Sequence, residues 1–206
     1  MVRFRGNRNR IARRFGVNIF GRIRNPLIHK PHPPGMHGAR RRKKSDYGLM
    51  LEEKQKLKAV YGMIGERQLV TYFKKAVKVK GNTPLILAQS LECRLDTVVY
   101  RLKFASTIFA AQQLVSHGHI LVNGKKVDRR NFTVRPGMVI SIKEGSRKMR
   151  PIVESLENPH LSVPEYMALD KDHFSGQIME LPSLEQLPWP IEINLPEVCD
   201  FLAHSN

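Results

Sequence analysis

RLDTVVYRLKFASTIFAAQQLVSHGHILVNGKKV, residues 94–127, carries two hydrophobic periods in one stretch. Leu95, Val98, Val99 and Leu102 recur at i, i+3, i+4 and i+7, which predicts a helix with Arg94, Thr97 and Arg101 on the opposite face. Ser106 is placed to cap a second helix whose buried stripe is Ala110, Ala111, Leu114 and Val115. After Gly118 the period becomes two: Ile120 to Val122, then Asn123-Gly124, then Lys125 to Val127. That pattern predicts a hairpin, because a type I′ turn needs positive φ at both central residues. Val134 to Ile142, broken by Pro136-Gly137, supplies further strand. The predicted class is α+β, a helix pair followed by a small antiparallel sheet.

Upstream, residues 45–92 read as a helical domain. Met50, Leu57, Tyr61 and Ile64 mark one face, and Lys54 and Lys58 share another at i, i+4. A second helix runs through Leu69, Val70, Phe73 and Val77; a third opens after Gly81-Asn82, with Thr83 as cap and Pro84 at the first helical position. Residues 1–44 form an arm whose glycines and prolines forbid a long helix and whose small apolar content predicts disorder in isolation. Residues 93–155 are the module described above. In the acidic segment 156–206, prolines predict short extended pieces such as Gly176 to Leu181 and a final short helix near Pro196 to Ala203.

Charge is distributed unevenly. Residues 1–45 hold 14 Lys or Arg and no acid, residues 46–150 hold 20 against 8, and residues 151–206 hold 1 against 10. With a net charge of +17, the first three quarters suit a polyanion, and the last quarter should face away from one. Cys93 and Cys199 have no CxxC spacing, so a zinc site or disulfide framework is not expected; each reads as a small buried hydrophobe in a reducing compartment. No run is long enough for a membrane span.

Arg40, Arg41, Arg42, Lys43 and Lys44 are consecutive cations, tolerable where solvent or phosphate screens them. They follow Pro33-Pro34-Gly35-Met36-His37-Gly38, a stretch that allows close backbone approach to the irregular surface of folded RNA. In the module, Arg94, Arg101, Ser106, Ser116, His117, His119, Lys125 and Lys126 mix cations with small polar groups, as shape-specific RNA recognition requires. For His117 and His119 two readings stay open: contact with RNA, or satisfaction of backbone carbonyls beside Gly118. An architectural DNA-binding protein would bind duplex DNA as well as folded RNA. An RNA-modifying enzyme would need a catalytic domain that the residues after the module are too few and too proline-broken to supply.

Residues 94–127 resemble the RNA-binding module named after small-subunit ribosomal protein S4. The likeness extends to the whole chain through Pro33-Pro34-Gly35-x-His37-Gly38, Ser45 to Leu49, Glu53 to Leu57, Ser146-Arg147-Lys148 and Val163-Pro164, which resemble the bacterial and organellar S4 family (uS4). The resemblance implies a non-enzymatic primary binder of small-subunit, 16S-type rRNA that nucleates assembly of the subunit body. It implies partners in ribosomal protein S5, other small-subunit proteins and incoming mRNA, an influence on accuracy together with S5 and S12, and a C-terminal segment that returns to the helical domain. Tyr47, Lys54, Lys58, Asn123, Arg147 and Lys148 thereby join the candidate RNA-binding set. No cofactor and no metal are implied: the chain matches a zinc-free form, with Asn9 and Ala12 where zinc-bearing relatives have cysteines. Ile108 and Gln112 stand where Arg is usual, so Ile108→Arg is expected to tighten RNA binding. Removal of Pro196 to Asn206 is expected to spare RNA binding.

Overall fold

The computed structural model describes residues 4–22, 24–40, 43–157 and 162–204; Arg41 and Arg42 of the basic run lie outside them. The chain divides into two compact units, one made of residues up to Ile86 with those from Trp189 onward, the other of Leu87–Pro188.

In the first unit the arm contains two short helices, α1 (Arg8–Phe15) and α2 (Pro26–His29), where disorder in isolation was expected. Ala12, Ile19 and Phe20 are buried there. The Arg13 Nε donates to the carbonyls of Lys30 and His32 at 3.0 and 2.9 Å, and its Nη2 to that of Pro33 at 3.3 Å. Three acceptors on one guanidinium thus tie α1 to the chain beyond α2. Helix α3 (Asp46–Val60) starts where the Ser45 hydroxyl accepts from the Gly48 N–H. Helix α4 (Glu66–Lys78) buries Leu69, Phe73 and Ala76. Val77, expected on that face, is exposed, because Ala76 takes the inward position three residues after Phe73. Helix α5 (Thr83–Glu92) is capped by Asn82 rather than Thr83: the Asn82 Oδ1 accepts from the Leu85 N–H.

Helix α9 (Leu195–His204) packs on α3 and α4 and buries Leu195, Val198, Cys199, Phe201 and Leu202. The Trp189 indole donates to the Tyr61 hydroxyl at 3.1 Å, and the Asn194 N–H donates to Glu53 at 2.9 Å. The last helix is therefore part of the core of this unit. A chain cut after Leu195 therefore loses packed core rather than a free tail.

The second unit contains α6 (Leu95–Arg101), α7 (Ile108–Ser116), α8 (Arg150–Glu157) and strands β1 (Ile120–Val122), β2 (Lys125–Lys126), β3 (Val139–Ile142), β4 (Met167–Asp170) and β5 (Ser175–Ile178). The strands form one antiparallel sheet in the order β2-β1-β3-β5-β4. Asn123 and Gly124 have φ of 48° and 77°, as the hairpin turn requires. Ile120 pairs with Ile142 and Val122 with Ile140, which puts the apolar residues of β1 and β3 on one face. That face meets Val98, Val99 and Leu102 of α6 and Ala111, Leu114 and Val115 of α7 in the core. Two strands from the acidic quarter extend this sheet. Gly176 makes that packing possible, since a Cβ there would lie 2.6 Å from Leu102 Cδ2 and 2.8 Å from the Ala168 carbonyl oxygen. Among the described residues no helix is long and apolar enough to cross a membrane.

Candidate nucleic-acid interface

Helix α6 is buried nearly all round, which overturns the expectation that one of its faces meets RNA. Arg94 is 3% exposed and holds Asp96 through two bonds, Nε to Oδ1 at 3.0 Å and Nη2 to Oδ2 at 2.6 Å. Arg101 is 6% exposed and grips Glu92 in the same bidentate manner at 3.1 and 2.9 Å. The segment 130–133 crosses the start of the helix, where the carbonyls of Arg130 and Phe132 accept from the N–H groups of Asp96 and Leu95. Both arginines neutralise buried carboxylates and present no charge to solvent, so neither is a surface contact.

The corner between α7 and β1 is different. Ser106 is exposed but does not cap α7; the Thr107 hydroxyl does, accepting from the Ala110 N–H at 3.2 Å. At the other end of α7, His117 is exposed and Gly118 has a φ of 72°. A methyl group on Gly118 would collide with Lys126 Cε, so the Lys126 side chain lies directly over this glycine. The His119 ring packs 6.1 Å from that of His117, and its Nδ1 meets the Ser146 hydroxyl at 2.9 Å. Partial burial, then the charges of His117, Lys143 and Lys126, hold its pKa below the ordinary histidine value. His119 thus has a side-chain partner, not a backbone carbonyl, and stands within a cluster of positive groups.

Lys125 and Lys126 are exposed on β2, and Lys143 and Lys148 are exposed beyond β3. Arg147 is half-buried over the Phe174 ring at 5.7 Å, with its Nε donating to the Ile142 carbonyl at 3.4 Å. Asn123 is exposed, but its Oδ1 already accepts from the Val139 N–H at 2.8 Å. Lys143 was missed in the sequence; it directly follows β3, and its N–H donates to the His119 carbonyl, which brings it to the corner. Its signal was strand alternation continued one residue past Ile142.

In the other unit, Arg40, Lys43 and Lys44 are exposed, and Lys44 pairs with Glu52. Tyr47 is 61% exposed with its ring 5.3 Å from that of Phe201. Lys54 is corrected: it is buried, lies 4.4 Å from the Phe201 ring centroid and pairs with Glu66 at 2.8 Å, so its cation serves packing. Lys58 shares the same Glu66 at 2.7 Å. The hydrogen bonds and charges of both lysines lower the Glu66 pKa against the opposing effect of its burial. Ile108 is 4% exposed, so this position faces the interior and the expected gain from arginine there is withdrawn. Both cysteines are buried thiols, each pushed up to about 11 chiefly by desolvation. Among the described residues no three His, Cys, Asp or Glu side chains are grouped to hold a metal.

Two family patterns match the chain. The pattern of the Ribosomal protein S4/S9 N-terminal domain matches residues 3–92, and that of the S4 domain matches residues 93–140. The chain is 71% identical to the small ribosomal subunit protein uS4 of Protochlamydia amoebophila over 205 residues, covering 100% of both chains. Against the proteins of the same name from Chlamydia trachomatis serovar L2 and Chlamydia muridarum, identity is 59% and 60%, over 99% of each chain. The chain belongs to the uS4 family of small ribosomal subunit proteins.

Proposed function

We propose that this protein is a structural, non-enzymatic constituent of the cytoplasmic small ribosomal subunit that binds its rRNA. The observation that carries the reading is the cationic corner of α7, β1 and β2. There His117, Lys126 and Lys143 lie close enough to His119 to act on its charge and Lys126 covers Gly118, while Lys125 is exposed on the same strand. Phosphate attracts such a cluster, and the glycine at its centre lets the Lys126 side chain lie close over the corner. Arg40 to Lys44, Tyr47, Ser106, Asn123, Arg147 and Lys148 complete the proposed contact set. The finer roles, nucleating assembly of the subunit body, meeting protein S5 and incoming mRNA, and tuning accuracy with S5 and S12, are part of the same proposal and rest on family membership.

The test is a titration of the full-length protein with small-subunit rRNA across a salt series, in competition with duplex DNA. Log K should fall by roughly 0.7 to 0.9 per phosphate neutralised for each unit of log salt. Neutralising Arg40 to Lys44 together should flatten that slope. Equal affinity for duplex DNA and rRNA, or a slope unchanged by the neutralisation, would refute the reading.

A further inference from the structure

We infer that Ser146 is a positioning residue of the RNA surface, which fixes the His119 imidazole by its Nδ1 and leaves Nε2 as the atom that meets an RNA phosphate. This rests on the RNA-binding function proposed above and names a contact within it.

Ser146 closes the short 3₁₀ helix Glu144–Ser146 and is 5% exposed. Two backbone bonds fasten that turn to the histidine. The Lys143 N–H donates to the His119 carbonyl at 2.9 Å, and the Ser146 N–H donates to the Lys143 carbonyl at 2.8 Å. The hydroxyl therefore meets the ring from a fixed frame, 2.9 Å from Nδ1. Nε2 has no hydrogen-bond partner among the described residues, and it is not one of their buried unpartnered side-chain atoms, which are Arg94 Nη1 and Thr97 Oγ1. It thus reaches solvent from a half-buried ring.

A hydroxyl suits this task because it both donates and accepts. While the ring is neutral with its proton on Nε2, Ser146 donates to Nδ1; once the ring is charged, Nδ1–H donates to Ser146. Nε2 keeps an N–H in either state, which is what a phosphate oxygen requires. A carboxylate in place of the serine would offset the charge that attracts phosphate. The charges that act on the ring are all positive: His117 from the end of α7, Lys143 from the residue after β3, and Lys126 from β2. Asp128 and Glu144, the acids that follow Lys126 and Lys143 in the chain, are exposed. Among the described residues none of these four side chains enters an ion pair. Burial and the neighbouring cations disfavour the imidazolium, and an arriving phosphate favours it, so contact and proton uptake go together.

The test measures the affinity of full-length protein for small-subunit rRNA at constant ionic strength between about pH 6 and about pH 8, with circular dichroism confirming that each variant is folded. The parent should bind more tightly as pH falls. His119→Gln places an amide N–H where Nε2 stood, and should keep most of the binding at high pH while losing the rise. His119→Asn reaches only toward Ser146 and should bind more weakly than His119→Gln. Ser146→Ala should weaken binding about 3- to 10-fold, as expected for one lost hydrogen bond, and reduce the rise toward low pH. Ser146→Thr, which keeps the hydroxyl, should restore both. In the His119→Gln background Ser146→Ala should change nothing further, because the serine acts through the imidazole. Equal losses from Ser146→Ala in both backgrounds would mark a purely structural serine, and His119→Asn binding as tightly as His119→Gln would remove Nε2 as the contact. Either result overturns this assignment and leaves the proposed function standing. Failure of the parent protein to bind rRNA overturns the proposed function and this contact with it.

Discussion

Arg101 was placed on an RNA-facing surface by helical periodicity and is placed in a buried ion pair by the fold, and the two positions predict opposite phenotypes for Arg101→Ala. Glu92 is 1% exposed, and besides the bidentate guanidinium it accepts from the Tyr166 hydroxyl at 3.2 Å. Burial, and then the Glu92 charge, push the Tyr166 phenol well above its ordinary range, so it stays a donor. The third guanidinium nitrogen donates to the Pro188 carbonyl at 3.1 Å. Alanine at 101 removes all three bonds from arginine and strands a carboxylate away from water, which costs about 3–5 kcal/mol when one partner of a buried pair is lost. At about 1.4 kcal/mol per decade this lowers the folding equilibrium by roughly two to three and a half orders of magnitude. With a urea m-value of about 2 kcal/mol/M, the unfolding midpoint of the Leu87–Pro188 unit should fall by about 2 M. Urea titration of the full-length protein, followed by hydrogen exchange at α6 amides, reads this directly. Replacing both partners by apolar residues, Arg101→Met with Glu92→Leu, should recover most of the loss, since no charge then remains to desolvate. If Arg101→Ala holds its stability within about 1 kcal/mol but its rRNA salt slope drops by one phosphate, the buried-pair reasoning is wrong and the arginine is a surface contact.

Further outcomes follow from the same structure. Ile108→Arg should destabilise the protein by about 3 kcal/mol or more by burying an unpaired cation, seen as a lowered melting temperature; tighter rRNA binding at undiminished stability would contradict this. Gly176→Ala forces β5 away from Leu102 and should cost about 1–3 kcal/mol, so an unchanged thermal midpoint would show that the strand yields freely. His119 titrates below the ordinary histidine value, so the folded state binds fewer protons than the unfolded chain; its stabilising contribution is full above that value and is lost as pH falls through the folded-state pKa. A phosphate at the corner reverses the sign for binding, because it raises the pKa and binding takes up a proton. rRNA affinity should therefore rise as pH falls from about 7.5 to about 6, and His119→Gln should flatten that rise. A pH-independent affinity in the parent protein would remove RNA from this corner.

Periodicity in the sequence was sufficient for the elements themselves. The switch from period 3.6 to period 2 at Gly118 marks where α7 ends and β1 begins, and Asn123-Gly124 specifies its own turn, because both are local consequences of backbone sterics. The gradient of charge along the chain, visible without any structure, separates the blocks suited to phosphate from the block that is not. What local pattern cannot encode is which surface a cation finds once the chain closes on itself. Lys54, Arg94 and Arg101 lie opposite apolar stripes and so read as exposed, yet Glu66, Asp96 and Glu92 with Tyr166 draw them into the interior. The carboxylates lie 12, 2 and 9 residues from their cations, but the packing that takes the pairs out of water comes from farther off, as with the Tyr166 hydroxyl that reaches Glu92 across 74 residues. The pairing of β3 with β5 and the seating of α9 on α3 are likewise contacts between distant segments, chosen by the apolar area they bury. The sequence by itself determined the helices, the hairpin and the polyanion-seeking charge, because those depend on neighbours within a few residues. Only the tertiary structure decided which cations stay at the surface, because a charge remains in water unless the fold brings it a partner good enough to offset desolvation.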